Sequence, residues 1–214
     1  MNYQDSDYKL PEEALEEKKI SSENIFDGKV LHVRFDRITL PNGKEATREY
    51  CHHNGAVCVI PVTEDGEVVC VRQYRYAMHE PMLEIPAGKL DTPDEDHTSA
   101  VLRELREETG AICKKLTYLG EYWGSPAILD EKIYMYMAED LTFGETEFDE
   151  DEFIEIIKLP LKTLVQMVID GKIPDGKTQV AILRANAMLN CNKLCYLFLL
   201  SFLYLFSLPS YTFF

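Results

Sequence analysis

Positive charge is scarce in this chain: 22 Lys and Arg stand against 37 Asp and Glu, a formal net charge of -15 over 214 residues. A general nucleic-acid surface needs a basic patch, so that class is excluded. An anionic small substrate is not excluded, because a divalent cation can bridge acid to acid. Paired cysteines are missing too. The six cysteines, at 51, 58, 70, 113, 191 and 195, form no CxxC pair and no zinc-like cluster, and read as reduced thiols of a cytoplasmic protein. The five histidines, His52 and His53 among them, show no ligand spacing and read as structural or exposed. The opening MNYQDSDYKLPEEALEEKK lacks the basic start and apolar stretch of a signal peptide. No internal repeat is present.

What remains is an ordinary globular composition, 46% hydrophobic and 28% charged. The length allows one full domain with a small extra subdomain, and a core that needs no covalent staples. Residues 1–24 read as an acidic flexible lead-in, with a short helix at Glu12–Lys19. From Ile25 the pattern becomes strands. KVLHVRFDRITL alternates apolar and polar residues, Pro41-Asn42-Gly43 turns the chain, and ATREYCHH returns. GAVCVIPV is a short apolar run of the buried-strand kind, and Glu64-Asp65-Gly66 leads into EVVCVRQYRY. Tight turns between these strands point to antiparallel pairing. A helix from about Thr98 to Thr109 ends at Gly110, strands follow near 115–123 and 132–139, and helices near 161–170 and 178–190 close the domain. Strands with a few helices make the class α+β. The chain divides into the lead-in, a β subdomain at 25–53, a main domain at 54–193 and a tail at 194–214.

The tail, LCYLFLLSFLYLFSLPSYTFF, carries no charge and holds five of the ten phenylalanines. Pro209 leaves only Leu194 to Leu208 ahead of it. That is short of the ~20 residues a membrane span requires. Docking on the domain or a partner subunit, and a non-native segment, stand as alternatives to membrane association.

The stretch PAGKLDTPDEDHTSAVLRELREETGA, Pro86 to Ala111, carries most of the chemistry. At about 100° per residue, Glu104, Glu107 and Glu108 share one arc roughly 100° wide. Thr98, Val101, Leu102 and Leu105 form the adjoining apolar face. Arg103 can pair with Glu107 four residues on. A solvated face does not require three carboxylates packed at the core edge, where mutual repulsion is costly. Nor does the C-terminal turn of a helix favour them, since its dipole prefers cations. A hard divalent cation removes both objections. On the residues alone, a structural charge network stays open beside it.

The same segment resembles the Nudix box: Gly88, Glu95, then Arg103-Glu104-Leu105-Arg106-Glu107-Glu108-Thr109-Gly110-Ala111. Glu95 to Arg103 keeps the seven intervening residues of that motif, whereas Gly88 to Glu95 has six in place of five. LEIPAGK before the box, SPAILDEK after it, the acidic loop GETEFDEDE and DGKT at 175–178 resemble the ADP-ribose pyrophosphatase branch of Nudix hydrolases. Pro126 lies sixteen residues after Gly110, where that branch has its marker proline, and Ala127 replaces its usual glycine.

The resemblance implies a Nudix-like α/β/α sandwich with a mixed sheet, preceded by a small antiparallel β subdomain used for homodimerisation. It implies Mg2+-dependent hydrolysis of the ADP-ribose pyrophosphate, with Mn2+ able to stand in. Glu104, Glu108 and the Ala87 carbonyl would hold the metal. Glu107 would join them or hold bound water, Glu95 would support the loop or the metal waters, and Arg103 would orient the carboxylates. Glu152 would be the general base, with Glu150 or a box glutamate such as Glu107 as the alternatives. Arg75 and Arg72, which point to opposite faces of a strand, would offer phosphate contact, Arg75 first. Glu84, Pro126 and Glu131 complete the substrate side. Tyr50, Phe26 and Phe35 are candidates to stack on adenine, and Arg48 to reach a ligand across a dimer. Two alternatives stay open: hydrolysis of another nucleoside diphosphate sugar such as GDP-mannose, and a non-catalytic Nudix-like nucleotide-binding module.

Overall fold

The computed structural model describes residues 14–148 and 153–206, so Glu150 and Glu152 lie outside the described residues, as do 207–214 of the tail. Two compact units emerge. Of the described residues, one holds those up to Gly55 together with Trp123–Lys132; the other holds Ala56–Tyr122 and those from Ile133 on.

The first unit is a three-stranded antiparallel sheet, β1 (Lys18–Asp27), β2 (His32–Thr39) and β3 (Glu45–His52), in that spatial order. β1 starts inside the segment read as a flexible lead-in, and Lys18 and Lys19 belong to it rather than to a helix. Every β1 residue is exposed, so it carries no buried alternate face to announce a strand. The segment 123–132 is laced to β3. Cys51 N–H donates to the Ile128 carbonyl at 2.8 Å, and Asp130 N–H donates back to the Cys51 carbonyl at 3.2 Å.

The second unit begins with β4 (Ala56–Pro61), β5 (Glu67–Arg75), β6 (Glu80–Glu84) and β7 (Ala87–Lys89). Helix α1 (His97–Thr109), β8 (Ala111–Tyr122), β9 (Ile133–Phe143), β10 (Glu155–Pro160), α2 (Leu161–Ile169) and α3 (Gly176–Phe206) follow. β6 and β7 occupy a stretch that the sequence reading left without strands. α3 continues past the expected end at Asn190. One mixed sheet runs β7-β4-β9-β8, with β4 parallel to β9 and the other pairs antiparallel; a second sheet runs β10-β5-β6.

Alternation along β4 builds two cores. Val57 and Val59 face α1, packing with Ala100, Val101 and Leu105, while Cys58 and Ile60 pack with Leu164 of α2 and Ala181, Ile182 and Ala185 of α3. Helices thus cover both faces of the mixed sheet, the α/β/α arrangement the sequence pointed to. Burial pushes the thiols of Cys58 and Cys70 up to about 12, which leaves both as inert core side chains. Among the described residues no helix is long and apolar enough to cross a membrane.

Candidate active site

Helix α1 starts where Asp96 caps it, its carboxylate accepting the Ser99 N–H at 2.8 Å. It stops at Gly110, whose φ of 67° is left-handed and whose N–H donates to the Arg106 carbonyl at 2.8 Å. Its buried residues are Ala100, Val101, Leu105, Glu108 and Thr109. Taking Glu104 as zero, these cover roughly −40° to 140° at 100° per residue. The packed face is therefore rotated toward the carboxylates relative to expectation. Thr98 and Leu102 are exposed, and Glu108, 3% exposed, sits mid-face.

A carboxylate in that position needs partners. The Ala87 N–H donates to Glu108 Oε2 at 3.0 Å, which ties the last turn of α1 to the first residue of β7. Glu104 lies against the next residue. A Cβ built on Gly88 would stand 2.0 Å from the Glu104 carboxylate, so glycine makes this approach feasible.

Arg103 gathers the remaining acids. Its Nη1 donates to Glu104 Oε1 at 2.7 Å and to Glu107 Oε2 at 3.2 Å, and its Nη2 stands 3.5 Å from Glu95 Oε1. Burial disfavours the guanidinium charge, but Glu104 and Glu107 outweigh that and hold its pKa above the ordinary arginine value. Glu95 also accepts the Asp91 N–H at 2.6 Å. Despite the extra residue before it, Glu95 sits in the cluster, bracing both the loop and Arg103.

The start of the acidic loop, which follows β9, is fastened to this same helix end. Gly144 N–H donates to the Gly110 carbonyl at 2.7 Å, Glu147 N–H to the Glu107 carbonyl at 3.0 Å, and Arg106 Nη2 to Glu147 Oε2 at 3.0 Å.

Arg72 and Arg75 diverge, as their spacing on β5 requires. Arg72 Nη1 reaches Glu155 of β10 at 3.3 Å. Arg75 donates from Nε and Nη2 to the two oxygens of Glu84, at 2.6 and 2.7 Å. Glu84 is only 1% exposed and also receives Lys177. Burial raises the Glu84 pKa, but Arg75 and Lys177 more than reverse it and leave it below the ordinary range. The sequence placed Lys177 only within the DGKT run at 175–178 and did not join it to this group, because it arrives from α3, 93 positions along the chain.

The other anticipated residues belong to the first unit. Pro126 and Glu131 lie in its 123–132 segment, and Glu131 Oε1 stands 3.4 Å from His53 Nδ1. His52 Nδ1 lies 2.7 Å from Asp130 Oδ2, and His53 N–H donates to Asp130 Oδ1 at 2.7 Å, so both histidines help fasten that segment. Phe26, Phe35 and Tyr50 sit on β1, β2 and β3, and Arg48 is engaged by Glu17.

The donor set on α1 and β7 is hard oxygen, suited to a divalent cation such as Mg2+ or Mn2+. Among the described residues no three acidic, histidine or cysteine side chains already converge as a closed metal-ligand set. Arg103 supplies the countercharge to Glu104 and Glu107. The fit rests on the buried Glu108 and on the Gly88 cradle, which admits the Glu104 carboxylate beside the backbone of β7.

Comparison with known proteins bears on this geometry. The NUDIX domain model matches residues 52–178, and that of the nucleoside diphosphate sugar hydrolase N-terminal domain matches residues 17–50. An ADP-ribose pyrophosphatase of Bacillus subtilis is 42% identical over 171 residues, covering 79% of this chain and 92% of that protein. A methanol dehydrogenase activator of Bacillus methanolicus is 41% identical over 169 residues, covering 78% and 91%. A crystal structure of an ADP compounds hydrolase superposes with a TM-score of 0.72 at 22% identity, covering 82% of this chain and 95% of the other, a likeness of fold.

Proposed function

The chain belongs to the NUDIX domain family, and from that premise we propose that it hydrolyses the pyrophosphate of ADP-ribose to AMP and ribose 5-phosphate with a divalent cation, Mg2+ first. It is a Nudix pyrophosphohydrolase, and nucleoside diphosphate sugars are its substrate class. The observation that carries the metal reading is Glu108, a carboxylate in the middle of the packed face of α1, beside Glu104 and Glu107 at the helix end where acids are least favoured.

Glu104 and Glu108 would hold the cation from α1, with the Ala87 carbonyl from β7 and Glu107 at the edge. When bound, the cation would supply positive charge against the pyrophosphate and acidify a coordinated water. Arg103 keeps Glu104 and Glu107 aligned, and Glu95 keeps Arg103 and the Asp91 turn in place. Arg75, oriented by Glu84, presents its guanidinium to phosphate oxygens. Glu152, outside the described residues, takes the proton from the attacking water; the described part of its loop is hydrogen-bonded to the end of α1, which supports that assignment. Water adds to phosphorus, the bridging P–O bond breaks, and the proton ends on the departing phosphate.

The buried, unpaired thiols of Cys58 and Cys70 support a reducing compartment such as the cytoplasm. A homodimer through the sheet of the first unit is supported by the apolar side chains exposed on and beside β1, among them Ile20, Ile25, Phe26 and Leu31.

A substrate panel of ADP-ribose, GDP-mannose, NADH and 8-oxo-dGTP, assayed with Mg2+ and with EDTA for released nucleoside monophosphate, tests the reading. ADP-ribose is expected to give the highest kcat/KM, and only with Mg2+. A preference for GDP-mannose would move the substrate within the class. No metal-dependent product from any member would remove the hydrolase assignment.

A further inference from the structure

Four consecutive residues leading into the carboxylate site are each held by a polar contact. The Glu84 side chain is gripped by Arg75 and Lys177. Ile85 N–H donates to Thr178 Oγ1 at 3.1 Å. The Pro86 carbonyl accepts the Val59 N–H at 3.0 Å. Ala87 N–H donates to Glu108 at 3.0 Å. Two of these five anchoring residues, Lys177 and Thr178, come from the first turn of α3 and have no part in the chemistry described above.

That turn is itself built to aim them. Asp175 Oδ2 accepts the Thr178 N–H and the Lys177 Nζ, each at 3.0 Å, so one carboxylate fixes both residues. Gly176 lets the turn pass Tyr122, whose hydroxyl would lie 2.1 Å from a Cβ at that position. Thr178 and Ile85 are both wholly buried, and the Lys177 and Glu84 side chains are 11% and 2% exposed. A buried ion pair is a weak source of net stability, because desolvation offsets the attraction. A hydroxyl aimed at one backbone N–H is likewise a device for placement. What both place is the segment 84–87, whose last residue touches Glu108.

We propose that Lys177 and Thr178 are positioning residues that set the affinity of the site for its divalent cation, by fixing segment 84–87 so that the Ala87 backbone stays in register with Glu104 and Glu108. The proposal rests on the metal reading above. Outer partners of metal ligands typically change affinity by about 10–100-fold when removed.

The test is Mn2+ binding to the substrate-free full chain, read as loss of the unbound Mn2+ signal in electron paramagnetic resonance. Thr178→Val, which keeps the shape and loses the hydroxyl, and Lys177→Met should each weaken Mn2+ by about 10–100-fold. Thr178→Ser, which keeps the donor-accepting oxygen, should bind close to wild type. Gln179→Ala serves as the control for general loosening of the same turn: it removes the 2.7 Å bond to the Ile173 carbonyl without touching 84–87, and Mn2+ affinity should hold. Equal weakening in Gln179→Ala would overturn the positioning role. So would Thr178→Val and Lys177→Met binding as wild type does while Glu104→Gln loses Mn2+, an outcome that leaves the metal reading standing. Wild type that binds no Mn2+ would overturn both. Should Thr178→Val fail to fold, Lys177→Met against Gln179→Ala decides in the same way.

Discussion

At the scale of single residues, the site depends on one missing Cβ and one buried ion group. Gly88→Ala would set a methyl 2.0 Å from the Glu104 carboxylate. The clash falls on the far end of a flexible side chain, so the thermal midpoint should barely move while kcat falls, because the carboxylate is displaced from its place beside β7. A parallel melt and activity assay checks this; equal loss of both would mean that the glycine serves the fold instead. Glu84 makes a second prediction. Arg75 and Lys177 hold its folded pKa below the ordinary value despite burial. A carboxyl of that kind binds fewer protons folded than unfolded, so its stabilising contribution is fully present above the unfolded value, ~4.3, and fades as pH falls through the lower folded one. Glu84→Gln should therefore lower stability at neutral pH and flatten the acid limb of a denaturation series followed by circular dichroism. Sequence showed Glu84 and Arg75 as separate candidates. Their bond was not legible, because hairpin contacts between β5 and β6 depend on a strand that the run HEPMLE does not announce by alternation.

At the scale of elements, α1 was the most legible part of the chain. Its periodicity, its Gly110 stop and its Arg103–Glu107 pair were all readable from residues three and four apart. Its rotation was not. Hydropathy assigned the packed face to Thr98, Val101, Leu102 and Leu105, whereas the fold turns Glu108 inward and leaves Leu102 40% exposed. The reason is that Glu108 has a backbone donor waiting on β7, a contact that no local rule foresees. β1 was missed for the opposite reason: with every residue exposed, it offers no contrast to detect. The junction between α1 and the acidic loop yields a third prediction. Gly110 has a φ of 67°, and a Cβ there would lie 2.5 Å from the Gly144 carbonyl oxygen. The left-handed conformation alone costs a non-glycine residue about 1–2 kcal/mol. Gly110→Ala should lower the unfolding free energy by at least that much, read as a lower denaturant midpoint at unchanged slope. An unchanged midpoint would contradict the packing of the loop on this helix end.

At the scale of the whole molecule, the class was readable, because tight turns and alternating strands dominate residues 25–78 and helices follow. How the later segment 123–132 joins the first unit was not, since it depends on backbone bonds to Cys51 across long chain separation. β1 is an edge strand with apolar residues open to solvent, a surface that pairs with another copy or aggregates. Phe26→Asp should convert a dimer into monomers by light scattering, and a wild type that is monomeric at every concentration would remove the dimer proposal. The central claim is that the α1 carboxylates act through a divalent cation on a nucleoside diphosphate sugar. The most direct measurement is AMP release from ADP-ribose by wild type and Glu108→Gln, across a Mg2+ titration and after chelation. Release should need Mg2+, stop with EDTA, and fall by at least about a hundredfold in Glu108→Gln, since a bound metal contributes several kcal/mol to the transition state. Release that survives chelation, or that Glu108→Gln leaves untouched, would contradict the account.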